Sequence, residues 1–360
     1  MKYDNIHFTC QVIDSYNKPF NLVQSCRSSG KTTDIFRKVY KAYKDNKHPS
    51  LVLRRQIVDI TESYIDDIAK VINKFLDNPI HFFYHKGDMK AGITDIYLSM
   101  DDLKNKTDVF LRIIGLNAKK QRLKGGVLMD VKYLVFDEFM IDLRHNEKYL
   151  PDEISRFEEL YTTYNREALT NIRCYFLGNA YSYYSPYHAY FKIDANKIKM
   201  GCVLTTSQCC FQLFKPSDEL IELLKENPLF DVSDEYEQYA LFGIPVNDNN
   251  IKLEPIQPQN FKLFNVFKIN GVILGIFYNN GNYEKDFTFW VSPIKWSDDY
   301  KRIAFVFDLR DVSNASYIPT KSLLQTFIPI KKAMMQYKIS YKDINASYTL
   351  EMIFSMLPSI

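Results

Sequence analysis

Residues 20–32 read Phe20-Asn21-Leu22-Val23-Gln24-Ser25-Cys26-Arg27-Ser28-Ser29-Gly30-Lys31-Thr32, and how this stretch is read decides the fold. A short apolar strand, Phe20 to Gln24, runs into a polar loop. The loop opens a helix over Thr33 to Tyr43, with Ile35, Val39 and Ala42 on one face. Strand, loop and helix in that order suit a phosphate-binding loop, because backbone N–H groups and the helix N-terminus converge on an anion. The candidate nucleotide contacts are Ser25, Cys26, Arg27, Ser28, Ser29, Gly30, Lys31, Thr32 and Thr33. Lys31 would reach the β- and γ-phosphates of ATP, and the Thr32 hydroxyl would ligate Mg²⁺. Ser25 stands where the simple Gly-x4-Gly-Lys pattern has its first glycine, so the stretch also fits a polar turn with a chance Gly-Lys-Thr.

Two further stretches bear on that choice. Lys132-Tyr133-Leu134-Val135-Phe136-Asp137-Glu138 reads as a buried strand ending in two acids, about a hundred residues downstream. Asp137 is placed to hold Mg²⁺ through water, and Glu138 to orient and deprotonate the attacking water. Adjacent acids at a strand end also occur as solvated turn residues. The two motifs in this order and spacing are much harder to obtain by chance. Leu177-Gly178-Asn179-Ala180 closes the next strand, Ile172 to Leu177, and makes Asn179 a candidate γ-phosphate sensor. A plain strand-to-loop turn is the alternative there.

Working outward, residues 1 to about 210 alternate apolar runs with helical patterns, the signature of an α/β parallel sheet. Ser50 to Arg54 is another strand. Ile60 to Phe75 is helical, with Tyr64, Ile65, Ile68, Val71, Ile72 and Phe75 as an apolar stripe, and Asp152 to Tyr164 is a capped helix. Pro216 to Tyr239 reads as an acidic helix, followed by a Pro- and Asn-rich stretch. The expected organisation is an α/β domain over 1–210, a helical linker region over 211–258 and a small α+β domain over 259–360. In the last of these, Phe261 to Ile269 and Val272 to Tyr278 form a hairpin turning at Asn270-Gly271. Phe287 to Val291 and Ile303 to Phe307 follow as strands, and the chain is helical from about 321.

Composition narrows the function classes. The chain has 360 residues, enough for two domains, with 46% hydrophobic and 25% charged residues, an ordinary globular balance. A net charge of +3 means that any nucleic-acid contact must come from a local patch. The N-terminus lacks a signal-peptide run and no apolar run approaches membrane-span length, so no membrane partner is expected and the cytosol is the default. The six cysteines form no CxxC pair, which argues against a zinc site or disulfide framework. His81 and His85 have helical metal-ligand spacing, but Ile80 to His85 reads as a strand.

With these motifs placed, the chain resembles the phage large terminase family, and more closely the packaging ATPases of small protein-primed podoviruses of the phi-twenty-nine type. The resemblance rests on the deviant Walker A loop Ser25 to Thr32 with Arg27 at its third position, and on the Walker B stretch Leu134 to Phe139. It also rests on Tyr149-Leu150-Pro151-Asp152-Glu153-Ile154-Ser155, Arg173 to Ala180 and Ser185-Pro186-Tyr187. Weaker similarity continues through Asp234-Glu235-Tyr236 and the 264–277 hairpin. It implies a P-loop NTPase fold of the additional-strand (ASCE) type followed by an RNase H-like vestigial nuclease domain. The implied function is ATP-driven translocation of double-stranded viral DNA into a prohead. The implied assembly is a homo-oligomeric, pentameric ring in the host cytoplasm, transiently docked at the prohead portal (connector), with a packaging RNA as a candidate docking partner. Arg27 then acts within its own subunit, and Arg166 matches a trans-acting arginine finger, with a solvated helix-end cation as the other reading. Arg54 and Arg55 match a family arginine pair, but Gln56 and Ile57 stand where some members have a lysine.

Lys119, Lys120, Arg122 and Lys124 form the local basic patch, in the position where related motors place a channel-facing DNA loop; a solvated charge run is the alternative. An active nuclease needs acids converging on metal, and Phe261 to Ile269 contains none, leaving Asp308 isolated. Competing readings are a large terminase with an active nuclease, another P-loop nucleic-acid translocase, and a nucleotide-binding scaffold. Glu138 argues against the last, since a mere binder needs no base.

Overall fold

The computed structural model describes residues 6–119, 128–142, 147–150, 153–165, 172–182, 185–226, 240–242, 251–269, 272–279, 288–306, 327–336 and 338–356. Lys120, Arg122, Lys124, Pro151, Asp152, Arg166, Asp234-Glu235-Tyr236, Asn270-Gly271 and Asp308 lie outside the described residues. The chain divides into two compact units, Met1–Tyr181 with Ile198–Val246, and Ser182–Lys197 with Asn247–Ile360.

The first unit is built on one sheet. After the short helix α1 (Gln11–Ser15), β1 (Phe20–Ser25) leads into α2 (Lys31–Asn46), and β2 (Ser50–Arg54) into α3 (Glu62–Asn73). Then come α4 (Lys86–Ala91), β3 (Ile93–Ile96), α5 (Met100–Asn105), β4 (Leu111–Gly115), β5 (Tyr133–Asp137), α6 (Glu153–Tyr164) and β6 (Arg173–Asn179). The elements α7 (Pro186–Tyr190), β7 (Val203–Thr205), β8 (Cys209–Leu213) and α8 (Asp218–Lys225) follow in the chain, α7 belonging to the second unit. The sheet order is β3-β4-β2-β5-β6-β1-β8-β7, parallel throughout except at its two antiparallel edges, β3 and β7. The decisive feature is that β6 lies between β1 and β5. That inserted strand defines the additional-strand P-loop architecture.

The central strands read as continuous apolar runs because both sheet faces are covered. Val23, Val52, Val135, Tyr175 and Leu177 pack with Ile35, Phe36 and Val39 of α2 and with Ile65, Ile68 and Ile72 of α3. On the other face Phe176 meets Phe136 at 5.9 Å and Phe157 of α6 at 5.1 Å. Because the inner strands are parallel, Ser25, Arg54, Gly115, Asp137 and Asn179 all end at one edge. Ser25 sits level with Asn179, and Asp137 with Leu177.

Several expectations are corrected. Ile80 to His85 is not a strand; only Phe83 forms an isolated bridge, to Tyr97, and no metal-binding cluster forms among the described residues. Within the helix expected over Pro216 to Tyr239, the described helix runs Asp218–Lys225, capped by the Ser217 side chain, which accepts from the Leu220 N–H. Strand β8 crosses residue 210 and completes the core beside β1.

The second unit carries β9 (Lys252–Leu253), inside the stretch expected as linker. It continues with β10 (Phe261–Ile269), β11 (Val272–Asn279), β12 (Phe289–Pro293), β13 (Ala304–Val306), α9 (Ile328–Met335), β14 (Ile339–Tyr341) and α10 (Ile344–Met356). Its sheet order is β13-β10-β11-β12-β14-β9, an antiparallel meander β10–β12 flanked by strands parallel to their neighbours. The expected C-terminal helical stretch is therefore interrupted by β14. Phe267, Phe305 and Phe327 stack edge-on in its core, which Ile330, Leu350 and Ile353 complete.

Candidate active site

The loop between β1 and α2 is closed by its own side chains. The Ser25 hydroxyl lies 2.6 Å from the Ser29 hydroxyl, both buried. Ser25 needs no left-handed backbone, which explains why serine serves where the pattern usually has glycine. The strained positions are Ser28 at φ +56° and Gly30 at φ +91°. A Cβ at Gly30 would also meet Cβ of His7 at 3.0 Å, in an N-terminal segment pinned by Phe8 N–H donating to Ser29 O at 2.8 Å. Glycine is required there by both conformation and space. Cys26 is fully buried, Arg27 and Ser28 are exposed, and Thr32 and Thr33 are half-buried in the first turn of α2.

Lys31 is buried, and its ammonium donates to Asn179 Oδ1 at 2.7 Å. Burial lowers its pKa to about 8, against the opposing charges of Asp137 and Glu138, and among the described residues it forms no ion pair. Asn179 Nδ2 reaches Tyr181 Oη at 3.4 Å, and Arg27 donates to the same oxygen at 3.1 Å. Lys31, Asn179, Tyr181 and Arg27 thus form one connected line, in which Tyr181 escaped the sequence reading.

The acids close the other side. Asp137 is buried, and burial raises its pKa above the ordinary carboxylate value, against the opposing pull of Arg54 and the Tyr64 hydroxyl. Tyr64 Oη donates to Asp137 Oδ2 at 3.0 Å. Tyr64, expected simply as a stripe residue, therefore carries a polar contact at the site. Glu138 sits at φ +61°, a strained conformation for a glutamate of the kind concentrated at functional sites. Its side chain is 58% exposed and accepts from Arg54 Nη2 at 2.7 Å, while Arg54 Nη1 lies 3.6 Å from Asp137. The Arg54 guanidinium stacks 4.6 Å from the Tyr64 ring.

Arg55 does something different. It is buried, donates from Nε and Nη2 to both oxygens of Glu153 (2.9 and 3.2 Å), and holds the carbonyls of Glu138 (3.2 Å) and Phe139 (2.5 Å). It fixes the chain immediately after the acids. Gly178 serves the same end: a Cβ there would meet Met140 Cγ at 2.6 Å and Phe139 Cε1 at 2.8 Å, so only glycine lets that turn lie on β6.

Arg27, Arg54, Asp137, Glu138 and Tyr181 are among the residues lining a cleft of about 370 Å³ at the carboxyl edge of the sheet. In open parallel sheets, ligands bind at this edge. A buried acid whose charge is penalised by burial, at the sheet edge where β1 leads into the helix that carries the half-buried Thr32, fits a divalent cation. A buried ammonium that forms no ion pair among the described residues, at the start of a helix entered through a backbone loop, fits a polyphosphate. Lys119 is exposed, four residues beyond the end of β4 at the same edge.

Comparison with known proteins gives two findings of kinship. A family profile described as "Podovirus DNA encapsidation protein (Gp16)" matches residues 3–322. Among solved structures, the chain is similar to "The Phi-28 gp11 DNA packaging Motor", at 17% identity and a TM-score of 0.68, covering 98% of each chain. It is also similar to "The bacteriophage Phi-29 viral genome packaging motor assembly", at 17% identity and a TM-score of 0.60, covering 98% of this chain and 100% of that one. At these identities the likeness concerns the fold. None of the curated protein sequences matches.

Proposed function

The chain belongs to the podovirus DNA encapsidation protein family, and on that footing we propose that it is the ATP-hydrolysing subunit of a motor that drives double-stranded viral DNA into a prohead. The observation that carries this is the convergence of Lys31, Asp137, Glu138 and Asn179 at one edge of an additional-strand sheet. Lys31 and the loop N–H groups bind the triphosphate, and Arg27 lies over it. Thr32 and Asp137 would hold Mg²⁺, which would supply positive charge to the phosphates. Glu138 takes the proton of the attacking water, once released from Arg54. Asn179, hydrogen-bonded to Lys31, reads the state of the γ-phosphate.

Arg166 supplies a neighbour's site in a ring, with pentameric stoichiometry. Lys119, Lys120, Arg122 and Lys124 meet DNA phosphates without reading bases, as sequence-independent transport requires. The second unit is a vestigial RNase H-like domain used for docking at the portal or a packaging RNA. Its meander with a parallel fourth strand suits that fold, and its first strand, Phe261–Ile269, has no acid for a metal. The test is ATP turnover with Lys31→Ala and Glu138→Gln. The first should not bind nucleotide, while the second should bind it and hydrolyse it about 10²–10⁴-fold more slowly. Normal turnover in either variant overturns the assignment.

A further inference from the structure

Tyr181 stands where the chain leaves β6, across from the phosphate-binding loop. Its backbone is fixed by its neighbours. Ala180 N–H donates to Ser25 O at 3.0 Å, tying the end of β6 to the end of β1, and Tyr181 N–H donates to Asn179 O at 2.8 Å. The half-buried phenol shares the lining of the nucleotide cleft with Arg27, Asp137 and Glu138. The directions of its hydrogen bonds follow from the groups involved. The Lys31 ammonium can only donate, so the Asn179 side-chain oxygen faces it, at 2.7 Å. That leaves the Asn179 amide nitrogen to donate to Tyr181 Oη, at 3.4 Å. The Arg27 guanidinium, also a donor only, meets the same oxygen at 3.1 Å. One phenolic oxygen thus accepts both from the residue that holds Lys31 and from Arg27.

We infer that Tyr181 is a positioning residue for hydrolysis, its hydroxyl holding the Arg27 guanidinium in the orientation from which it meets the γ-phosphate bound in the same subunit. The inference deepens the ATPase reading above and rests on it. Arg27 is exposed, at the end of a long flexible side chain, and an unanchored guanidinium there would have to be ordered in every turnover. A donor already in place spends nothing on reorganisation when charge develops. The character of the anchor matters too. Arg54 is held by the Glu138 carboxylate at 2.7 Å, which offsets its charge. A phenol is neutral, so it orients Arg27 without neutralising it. The anchor also lies two residues from Asn179, so both loop cations, Lys31 and Arg27, are aligned by one strand end.

The experiment is a double-mutant cycle on steady-state ATP hydrolysis by the full chain, with Tyr181→Phe, Arg27→Ala and the two combined. Tyr181→Phe keeps the ring and removes only the anchoring oxygen. Its kcat should fall about tenfold, the worth of a hydrogen bond to a charged group, with KM for ATP within about twofold of wild type. Its unfolding midpoint should stay within about 2 °C of wild type. Because the phenol acts through Arg27, the combined variant should be no slower than Arg27→Ala alone. A hydroxyl with a merely structural role would lower the midpoint instead and would slow Arg27→Ala further. Losses in kcat that add, a lowered midpoint, a Tyr181→Phe kcat at or above that of wild type, or normal turnover by Arg27→Ala would each overturn the inference. Full turnover by Tyr181→Phe beside an inactive Lys31→Ala removes this role alone, whereas normal turnover by Lys31→Ala removes the reading beneath it.

Discussion

Truncating Arg55 to alanine should destabilise the protein severely, because its guanidinium is held by Glu153 and two backbone carbonyls. The Arg55 side chain is 8% exposed and its partner Glu153 2%. The guanidinium satisfies both carboxylate oxygens and two backbone carbonyls, and it stacks on Tyr149 at 5.0 Å and Phe136 at 5.6 Å. Removing it leaves a buried carboxylate without its cation, which costs about 3–5 kcal/mol. A domain is stable by only about 5–15 kcal/mol, so roughly a fifth or more of the margin is at stake. At about 2–4 °C per kcal/mol for a domain of this size, the unfolding midpoint should fall by roughly 6–20 °C. The assay is thermal unfolding of Arg55→Ala beside the double variant Arg55→Met with Glu153→Leu. Replacing both charges with apolar groups of similar volume is often neutral, so the double variant should recover most of the loss. The reasoning is refuted by an Arg55→Ala midpoint within about 2 °C of wild type, or by a double variant no better than the single one.

Other outcomes follow from the site. Burial lowers the Lys31 pKa to about 8, so nucleotide affinity should decline as pH rises through about 8. The unfolded chain's lysine keeps its proton up to the ordinary value of 10.5, so in the same window the empty chain should gain stability with pH; titrating both quantities between pH 7 and 10 checks the opposite signs. Tyr64→Phe removes the hydroxyl that steadies the Asp137 carboxylate, and the Mg²⁺ concentration needed for half-maximal turnover should rise about tenfold, the worth of a hydrogen bond to a charged group. An unchanged Mg²⁺ requirement would remove Tyr64 from the site. Neutralising Lys119, Lys120, Arg122 and Lys124 together should flatten the salt dependence of DNA binding by about 0.9 per lost phosphate contact, with basal hydrolysis retained. An unchanged slope would move the DNA contact elsewhere.

What the sequence discloses follows the range of the interactions. Strands β1, β5 and β6 are legible because burial on both faces makes them unbroken apolar runs, and the motifs at their ends are local. The edge strand Ile93–Ile96 and the three-residue Ile339–Tyr341 are too short for a period to emerge, and the latter hides between helices. The roles of Arg54 and Arg55 depend on partners 84 and 98 residues away, which no local pattern encodes. Tyr64 fits an apolar stripe by spacing, and only the fold brings its hydroxyl to Asp137. Tyr181 follows a recognised motif, yet its link to Arg27 requires β1 and β6 to be neighbours.

The central claim is that hydrolysis at this site moves DNA, and it is tested most directly by packaging double-stranded DNA into purified proheads, with nuclease-protected DNA and released phosphate measured in the same reaction. The account predicts that protected DNA accumulates in proportion to phosphate with the wild-type chain, and that Glu138→Gln, though it binds ATP, protects none. Protected DNA accumulating with Glu138→Gln, or steady hydrolysis by the wild-type chain on proheads with no DNA protected, would contradict it.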